Sequence, residues 1–151
     1  MANSTSANLK LTVQATGENS GTWGQITNTN LLILEQAIGG YSTFNVTNAS
    51  RALTFSNGAL SNGKNNVLKL TGTLAGNLNI TVPNSIEKTY IVQDSTDHAG
   101  NTLTFKTTSG TGVLLCEGNC YILYSDGTNI VKANEYRKWR AVSAAETVQA
   151  G

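Results

Sequence analysis

The chain has 151 residues, and charged side chains make up 13% of them, about half the roughly 25% of an average soluble protein. Ten basic and nine acidic side chains leave a net charge of +1. A charge this small provides no overall field that would attract nucleic acid or a membrane surface, so neither is expected as a partner.

The polar character comes mainly from asparagine, threonine and serine, which number 18, 21 and 12. With 15 glycines and one proline, this composition favours short strands joined by turns over a bundle of helices. The length predicts one domain with a sizeable core. No apolar run approaches the roughly 18–20 residues of a membrane-spanning helix, and the start lacks the hydrophobic region of a signal peptide. We therefore expect no membrane insertion, and folding in a cytoplasm.

The first residues predict an arm followed by a strand. Residues 1–8 are small and polar, which is typical of a flexible arm. Residues 9–16, LKLTVQAT, alternate between apolar and polar side chains. This pattern predicts a strand that buries Leu9, Leu11, Val13 and Ala15 on one face. A single β-rich domain is expected to begin here and to extend over residues 9–133.

An amphipathic helix is predicted over residues 22–39. Thr22 and Gln25 have the spacing of a capping box, and the pair Gly39-Gly40 would end the helix in a left-handed conformation. A helical wheel at about 100° per residue groups the following residues on one face: Trp23, Ile26, Thr27, Asn30, Leu31, Ile33, Leu34, Ala37 and Ile38.

Three residues of this helix lead to specific expectations. Trp23 falls on the apolar face and is expected to be buried. Asn30 falls near the centre of that face, where its amide needs hydrogen-bond partners. Leu32 lies on the opposite, polar face, which gives the helix apolar side chains on two sides.

The residues around the start of this helix resemble those of a known family. The string GENSGTWG at residues 17–24, followed by TNTN at residues 27–30, is similar to the opening of many tailed-bacteriophage fibre and appendage proteins. The resemblance covers residues 9–40 well and the region up to Ala133 more loosely. Proteins of that family are virion components rather than enzymes, so the resemblance implies a structural protein located in the virion.

After Gly40 the apolar period changes from 3.6 to 2. Short strands are predicted at residues 41–47, 51–56, 67–71, 78–82, 88–94, 102–107, 113–116, 120–125 and 129–133. About nine short strands at this spacing predict a mainly β fold, an antiparallel β-sandwich or barrel with one amino-terminal amphipathic helix. No strict internal repeat is present, so a β-helix is not expected.

The carboxy-terminal residues 134–151 change character again. Tyr136, Arg137, Trp139 and Arg140 lie close together in a chain that is otherwise poor in charge. Protein interfaces favour aromatic and arginine side chains, so the segment is a candidate for docking on a neighbouring subunit. The alternative is a terminal strand or short helix laid over the sheet. Nucleic-acid binding would need a larger basic surface.

Few residues could carry chemistry. Cys116 and Cys120 flank a three-residue turn, where reduced thiols packed as small apolar residues are favoured over a disulfide. His98 is expected as a solvated loop residue, because no nucleophile in a recognisable context accompanies it. Two cysteines and a distant histidine do not make a zinc site. The sequence therefore predicts no catalytic, cofactor-binding or metal-binding residues, and no enzyme.

These patterns lead to three hypotheses. The first is a tail-fibre or tail-appendage component that docks on the phage particle and takes part in host attachment. The second is a capsid decoration or head-fibre protein. The third is a carbohydrate-binding module, whose partner would be a host surface glycan.

We also expect a homotrimer, bound to other virion proteins of the tail or capsid. Its helix would lie near the symmetry axis, with Leu32 at a contact and Asn30 fixing the register. The alternative is that Leu32 is an ordinary exposed leucine and that Asn30 bonds a backbone group of its own sheet. The candidate interface residues are Trp23, Asn28, Asn30, Leu32, Tyr136, Arg137, Trp139 and Arg140.

Overall fold

The computed structural model describes residues 2–133. The docking segment expected at residues 134–151, with Tyr136, Arg137, Trp139 and Arg140, lies outside the described residues. In chain order the described elements are β1 (Ser4–Thr5), β2 (Thr12–Val13), α1 (Trp23–Gly39), β3 (Tyr41–Asn45), β4 (Arg51–Ala52), a 3-10 turn (Asn62–Lys64), β5 (Val67–Thr73), β6 (Leu78–Val82), β7 (Glu87–Asp97), β8 (Leu103–Thr107), β9 (Gly112–Leu115), β10 (Cys120–Asp126) and β11 (Ile130–Lys132). The mainly β class is confirmed, whereas α1 follows two strands and is not the first element.

The strands form a two-stranded ribbon and two larger sheets. The five-stranded sheet has the order β11-β10-β7-β5-β3, and the four-stranded sheet has the order β4-β6-β8-β9. Strands β3, β5 and β7 run parallel, as do β4, β6 and β8. Strands β9, β10 and β11 pair antiparallel with their neighbours. The prediction of a wholly antiparallel sandwich or barrel is therefore wrong, because both larger sheets are mixed.

From β3 to β8 the chain alternates between the two larger sheets. It winds as a parallel coil of three turns, which consist of β3 with β4, β5 with β6, and β7 with β8. Paired residues of adjacent turns are 24 to 29 positions apart, as in Val67 opposite Ile91 and Arg51 opposite Ile80. No β-helix was expected, because the sequence has no strict repeat, and this expectation is wrong. Such a coil needs only apolar side chains at its inward positions. These can be present without a repeated sequence.

The core lies between the two larger sheets. Strand β7 alternates exposed and inward side chains, and Tyr90 and Val92 on its inward face are fully buried. The ring of Tyr90 meets that of Phe105 from the facing sheet edge-on, with centroids 5.4 Å apart. Leu74, just after β5, and Ile86, just before β7, are also buried, so apolar side chains close the core where the chain passes between sheets.

The amino-terminal segment is attached to the rest of the fold. Ser4 pairs with Val13 and Thr5 pairs with Thr12, in a segment where a flexible arm was expected over residues 1–8. Lys10 has a φ of 54°, which interrupts the strand predicted at residues 9–16 and leaves two of its residues in β2. Val13 was expected on a buried face, but 49% of it is exposed.

The two ends of α1 differ from the predicted caps. The Thr22 side chain makes no capping bond, and its hydroxyl donates instead to the Asn19 carbonyl at 3.3 Å. At the other end Gly40 is extended, with a φ of −68° and a ψ of 134°, and not left-handed. A Cβ at Gly40 would lie 2.2 Å from the Gln36 carbonyl and 2.6 Å from the Asn65 Oδ1. Glycine is needed here because the chain passes so close to both groups.

Candidate docking surface

Helix α1 is attached to the rest of the protein along one side. Ile33 on that side is fully buried. The Asn30 Nδ2 donates to the Thr12 carbonyl at 2.8 Å, and the Thr12 N–H donates to the Asn30 Oδ1 at 2.9 Å. Both ends of this amide are used within one chain, so the expectation that Asn30 fixes the register between copies is wrong.

The carboxy-terminal end of α1 is bound to the loop that precedes β5. The Gln36 Nε2 donates to the Asn65 Oδ1 at 3.3 Å, and the Gln36 Oε1 accepts from the Ser61 N–H at 3.4 Å. The Asn66 Nδ2 donates to the Ile38 carbonyl at 3.1 Å. These amide contacts fix the direction of the helix. Sequence reasoning missed them because Gln36 appeared on the polar, outward face.

The side of α1 turned away from these contacts is apolar and exposed. We call this surface the exposed stripe; it consists of Trp23, Leu31, Leu34 and Ile38. Thr27, which falls between them on the wheel, is partly buried and accepts a hydrogen bond from the Gln14 Nε2 at 3.2 Å. The exposed fractions of Trp23, Leu31 and Ile38 are 64%, 58% and 76%. The predicted burial of Trp23 is wrong, because residues 2–133 cover the Ile33 edge of the apolar face and leave its opposite edge, with Trp23, Leu31 and Ile38, exposed.

Leu32 lies on a different side of α1. It lines an open depression of about 400 Å³ together with Tyr41, Leu60 and Glu35. Leu32, Tyr41 and Leu60 are each about half exposed. Consequently Leu32 and the exposed stripe form two separate apolar surfaces on one helix.

The candidate interface residues are thus not brought together at one place. Trp23 belongs to the exposed stripe, Leu32 lines the depression, Asn28 is exposed and Asn30 faces Thr12. Leu31, Leu34 and Ile38 were missed as interface residues, although they share the spacing that placed Trp23 on the apolar face.

The loop before α1 is held by a pair of asparagines. The Asn3 Nδ2 donates to the Asn19 Oδ1 at 2.8 Å, and the Asn19 Nδ2 donates back to the Asn3 Oδ1 at 2.9 Å. Asn19 adopts a φ of 65°, a left-handed conformation that asparagine tolerates better than most residues. Asn19, within the string at residues 17–24, therefore helps to position the start of α1.

His98 is a structural residue at the end of β7. Its Nε2 lies 2.8 Å from the Oδ2 of Asp94, which is fully buried. The other carboxylate oxygen of Asp94 accepts from the Thr96 hydroxyl at 2.6 Å. The Thr96 hydroxyl thus donates to the carboxylate and not to the imidazole. His98 is therefore not placed to act as a base on this hydroxyl. The expectation of a solvated loop histidine is wrong, since the His98 side chain is only 14% exposed.

Cys116 and Cys120 are both free, and both are exposed. They connect β9 of one sheet to β10 of the other, so they do not lie opposite each other across a hairpin. The Cys116 N–H donates to the Tyr121 hydroxyl at 2.8 Å. Reduced thiols were expected, but their packing as small apolar residues is contradicted by the exposure.

Two lysine amines are held by backbone carbonyls. The Nζ of the fully buried Lys64 donates to the carbonyls of Ser56 and Ala59, at 2.7 Å and 2.6 Å, and burial lowers its pKa. The Nζ of Lys88 donates to the Asn65 carbonyl at 2.9 Å and lies 4.2 Å from the centroid of the Tyr90 ring. Burial lowers the pKa of Lys88 to about 8. Both amines hold loops in place, and neither faces a pocket described above.

Within residues 2–133 no group of three or more histidine, cysteine, aspartate or glutamate side chains could hold a metal ion. In the same part of the chain no helix has the length and apolar character needed to cross a membrane. Comparisons with protein-family models, with curated proteins and with solved structures find no match to this chain.

Proposed function

We propose that this chain is a structural protein of a tailed-bacteriophage particle, a tail-fibre or tail-appendage component. Two features support the proposal. The residues that lead into α1 resemble those of phage fibre and appendage proteins, and the helix that follows them presents an apolar surface that residues 2–133 leave uncovered.

The exposed stripe is the observation on which the proposal depends. Contiguous exposed apolar surface on a soluble protein marks a site of interaction with another molecule. Ile38, which is 76% exposed, and Leu31 would be unfavourable in water unless a partner covered them. The proposed role is therefore docking on the particle, and it requires no catalytic residue, metal or cofactor.

Purified particles that contain the chain provide the test. Immunogold labelling with an antibody to the recombinant protein is expected to mark the tail. Labelling of the shell would instead support the capsid decoration or head-fibre hypothesis. Recovery of the chain from infected cells, but never from particles, would refute a virion role in either place.

A variant test connects the location to the surface. Leu31→Lys, supplied from a plasmid to a phage that lacks its own copy, is expected to reduce incorporation into particles. Leu114→Lys is the matched control, because Leu114 is similarly exposed but lies on β9. Equal incorporation of both variants would exclude the exposed stripe as the docking surface.

A second candidate function is carbohydrate binding at the depression lined by Leu32 and Tyr41. It is favoured by the half-exposed ring of Tyr41 beside the Glu35 carboxylate in a volume of about 400 Å³, since an aromatic ring next to a hydrogen-bonding group suits a sugar. Binding on a glycan array that is lost in Tyr41→Ala would support a role in host attachment. The absence of binding would remove this candidate.

A further inference from the structure

The outer face of the five-stranded sheet carries a row of apolar side chains. Tyr41, Val67, Ile91 and Ile122 are paired in turn across β3, β5, β7 and β10. Leu68, which follows Val67, is buried in the core. Because successive side chains of a strand alternate between faces and paired residues share a face, the four side chains point away from the core. We call these four residues the apolar row; Tyr41 and Ile122 at its ends are 58% and 42% exposed.

The apolar row is narrow. On one side it is bordered by a row of polar residues on the same face, Thr43, Lys69 and Gln93. On the other side Thr89 is paired with Tyr124. A stable interface with a folded partner covers roughly 800 Å² on each side, and one row of four side chains is too small for that. A single chain segment laid across the strands fits this shape.

The described part of the chain ends beside this row. Ala133 follows β11, and its N–H donates to the Ile122 carbonyl at 2.8 Å. The next segment therefore begins at one end of the apolar row. Tyr41, at the other end, lies four strands away, which is about 19 Å at a strand spacing of about 4.8 Å. Six residues reach about 20 Å, and Trp139 is six residues beyond Ala133.

The charge of this segment complements the far end of the row. Residues 134–140 contain three basic side chains and one acidic side chain. Tyr41 lines the open depression together with Glu35, which is the one ionisable side chain in α1. A carboxylate beside an exposed aromatic ring suits an arginine, which can pair with the carboxylate and stack on the ring.

We propose that residues 134–140 lie across the apolar row of their own chain, with Trp139 against the Tyr41 ring and Arg140 near the Glu35 carboxylate. The contact involves neither the exposed stripe nor a partner chain, so it does not depend on the virion role. Because it covers the Tyr41 ring, it excludes the carbohydrate candidate in the full chain.

Acrylamide quenching of Trp139 fluorescence tests this contact. The full chain is used with Trp23→Phe, which leaves Trp139 as its single tryptophan. Trp139 is expected to be quenched less in the folded protein than in urea. Ile122→Lys should raise its quenching to the level measured in urea. Leu114→Lys is the matched control, since it adds the same charge at an exposed position of the other sheet, and it should keep the protection. Circular dichroism shows whether both variants are folded.

Disulfide cross-linking locates the segment by a second, independent route. In the full chain with Cys116→Ser and Cys120→Ser, Lys138→Cys is combined with Thr43→Cys, which borders the far end of the apolar row. Copper phenanthroline, as the oxidant, accepts the two electrons and two protons that the thiols lose. This pair is expected to close within one chain and to lower the mass by two hydrogens. The control pair, Lys138→Cys with Leu114→Cys, should stay reduced.

Four results would overturn the proposal. These are equal quenching of Trp139 in the folded and unfolded chain, equal protection in folded Ile122→Lys and Leu114→Lys, and a failure of the Thr43 pair to close within one chain. The fourth is glycan binding by the full chain that is lost in Tyr41→Ala, because a sugar and Trp139 cannot cover the same ring. None of these results changes where the chain is found in particles, so the virion role is tested separately.

Discussion

The side-chain amide of Asn30 pairs with the peptide groups of Thr12 as a neighbouring strand would, with one hydrogen bond given and one accepted. This pairing joins the β1–β2 ribbon to α1. An asparagine in the apolar part of a helix is thereby satisfied by backbone from outside the helix.

Replacing Asn30 with alanine is expected to lower the free energy of unfolding by about 1–3 kcal/mol, because the partly buried N–H and carbonyl of Thr12 would lose their partners. Urea denaturation measures this difference. Asn28→Ala is the control, since Asn28 is exposed on the same helix and its loss should change the free energy by no more than about 0.5 kcal/mol. Equal effects of the two substitutions would contradict the pairing.

Trp23 and Ile33 should respond in opposite ways to truncation. Ile33→Ala is expected to cost about 2–5 kcal/mol of folding free energy, the range for truncating a fully buried isoleucine. Trp23→Ala is expected to cost less than about 1 kcal/mol, because the side chain is 64% exposed. Urea denaturation of each variant beside the wild type measures the two changes. A larger loss for Trp23 than for Ile33 would show that the tryptophan is part of the core.

The free energy of unfolding should depend on pH through Lys88. Its folded-state pKa is about 8, against 10.5 for a fully hydrated lysine such as that of the unfolded chain, so between these values the unfolded chain binds more protons than the folded one. Stability contributed by this residue therefore rises with pH across that range.

The measurement compares the wild type with Lys88→Met from pH 8 to pH 10. The comparison is needed because the lowered pKa of Lys64 also makes the free energy of unfolding rise with pH. This contribution is the same in both proteins and cancels in the difference between them. Burial raises the pKa of Tyr90 and Tyr121, and this would reduce stability above pH 10, so the range ends there. A difference between the two proteins that stays constant over the range would show that burial does not perturb the Lys88 amine.

The two cysteines should react with a thiol reagent in the folded protein, without prior reduction. Both are free and exposed, so we expect two equivalents of a chromogenic disulfide reagent to react as readily without denaturant as with it. Cys116→Ser and Cys120→Ser should each remove one equivalent. An intact mass that is lower by two hydrogens, and restored by a reductant, would demonstrate a disulfide instead.

Individual strands were predictable because their local pattern is strong. Leu78–Val82 lies where the alternation of apolar and polar residues indicated, and β8 and β10 each lie within one residue of the predicted bounds. The pairing direction was not predictable, because a strand with one buried face has the same pattern in a parallel or an antiparallel sheet. Val67 lies opposite Ile91 and not opposite a residue of β6. The residues that flank Val67 and Ile91 in the sequence carry no pattern that indicates this pairing.

The helix was predictable in its position but not in its orientation. The wheel showed an apolar face from Ile33 around to Leu31, wider than the surface available to cover it. Which part of that face is buried depends on the bond between Asn30 and Thr12 and on the amide contacts of Gln36. These contacts join residues 18 and 29 positions apart, so no local pattern could indicate them.

The parallel coil has a consequence for how such a chain can change in length. The second turn pairs with the first and the third, and β9, β10 and β11 close the third turn. Insertion of one further turn of about 25 residues between β6 and β7 would leave α1 and the closing strands with their present neighbours. It would move them apart by about 4.8 Å, the spacing of adjacent strands. The distance between the helix surface and the closing strands is thus adjustable in uniform steps, with loss of the hydrogen bond from the Glu87 N–H to the Asn8 Oδ1.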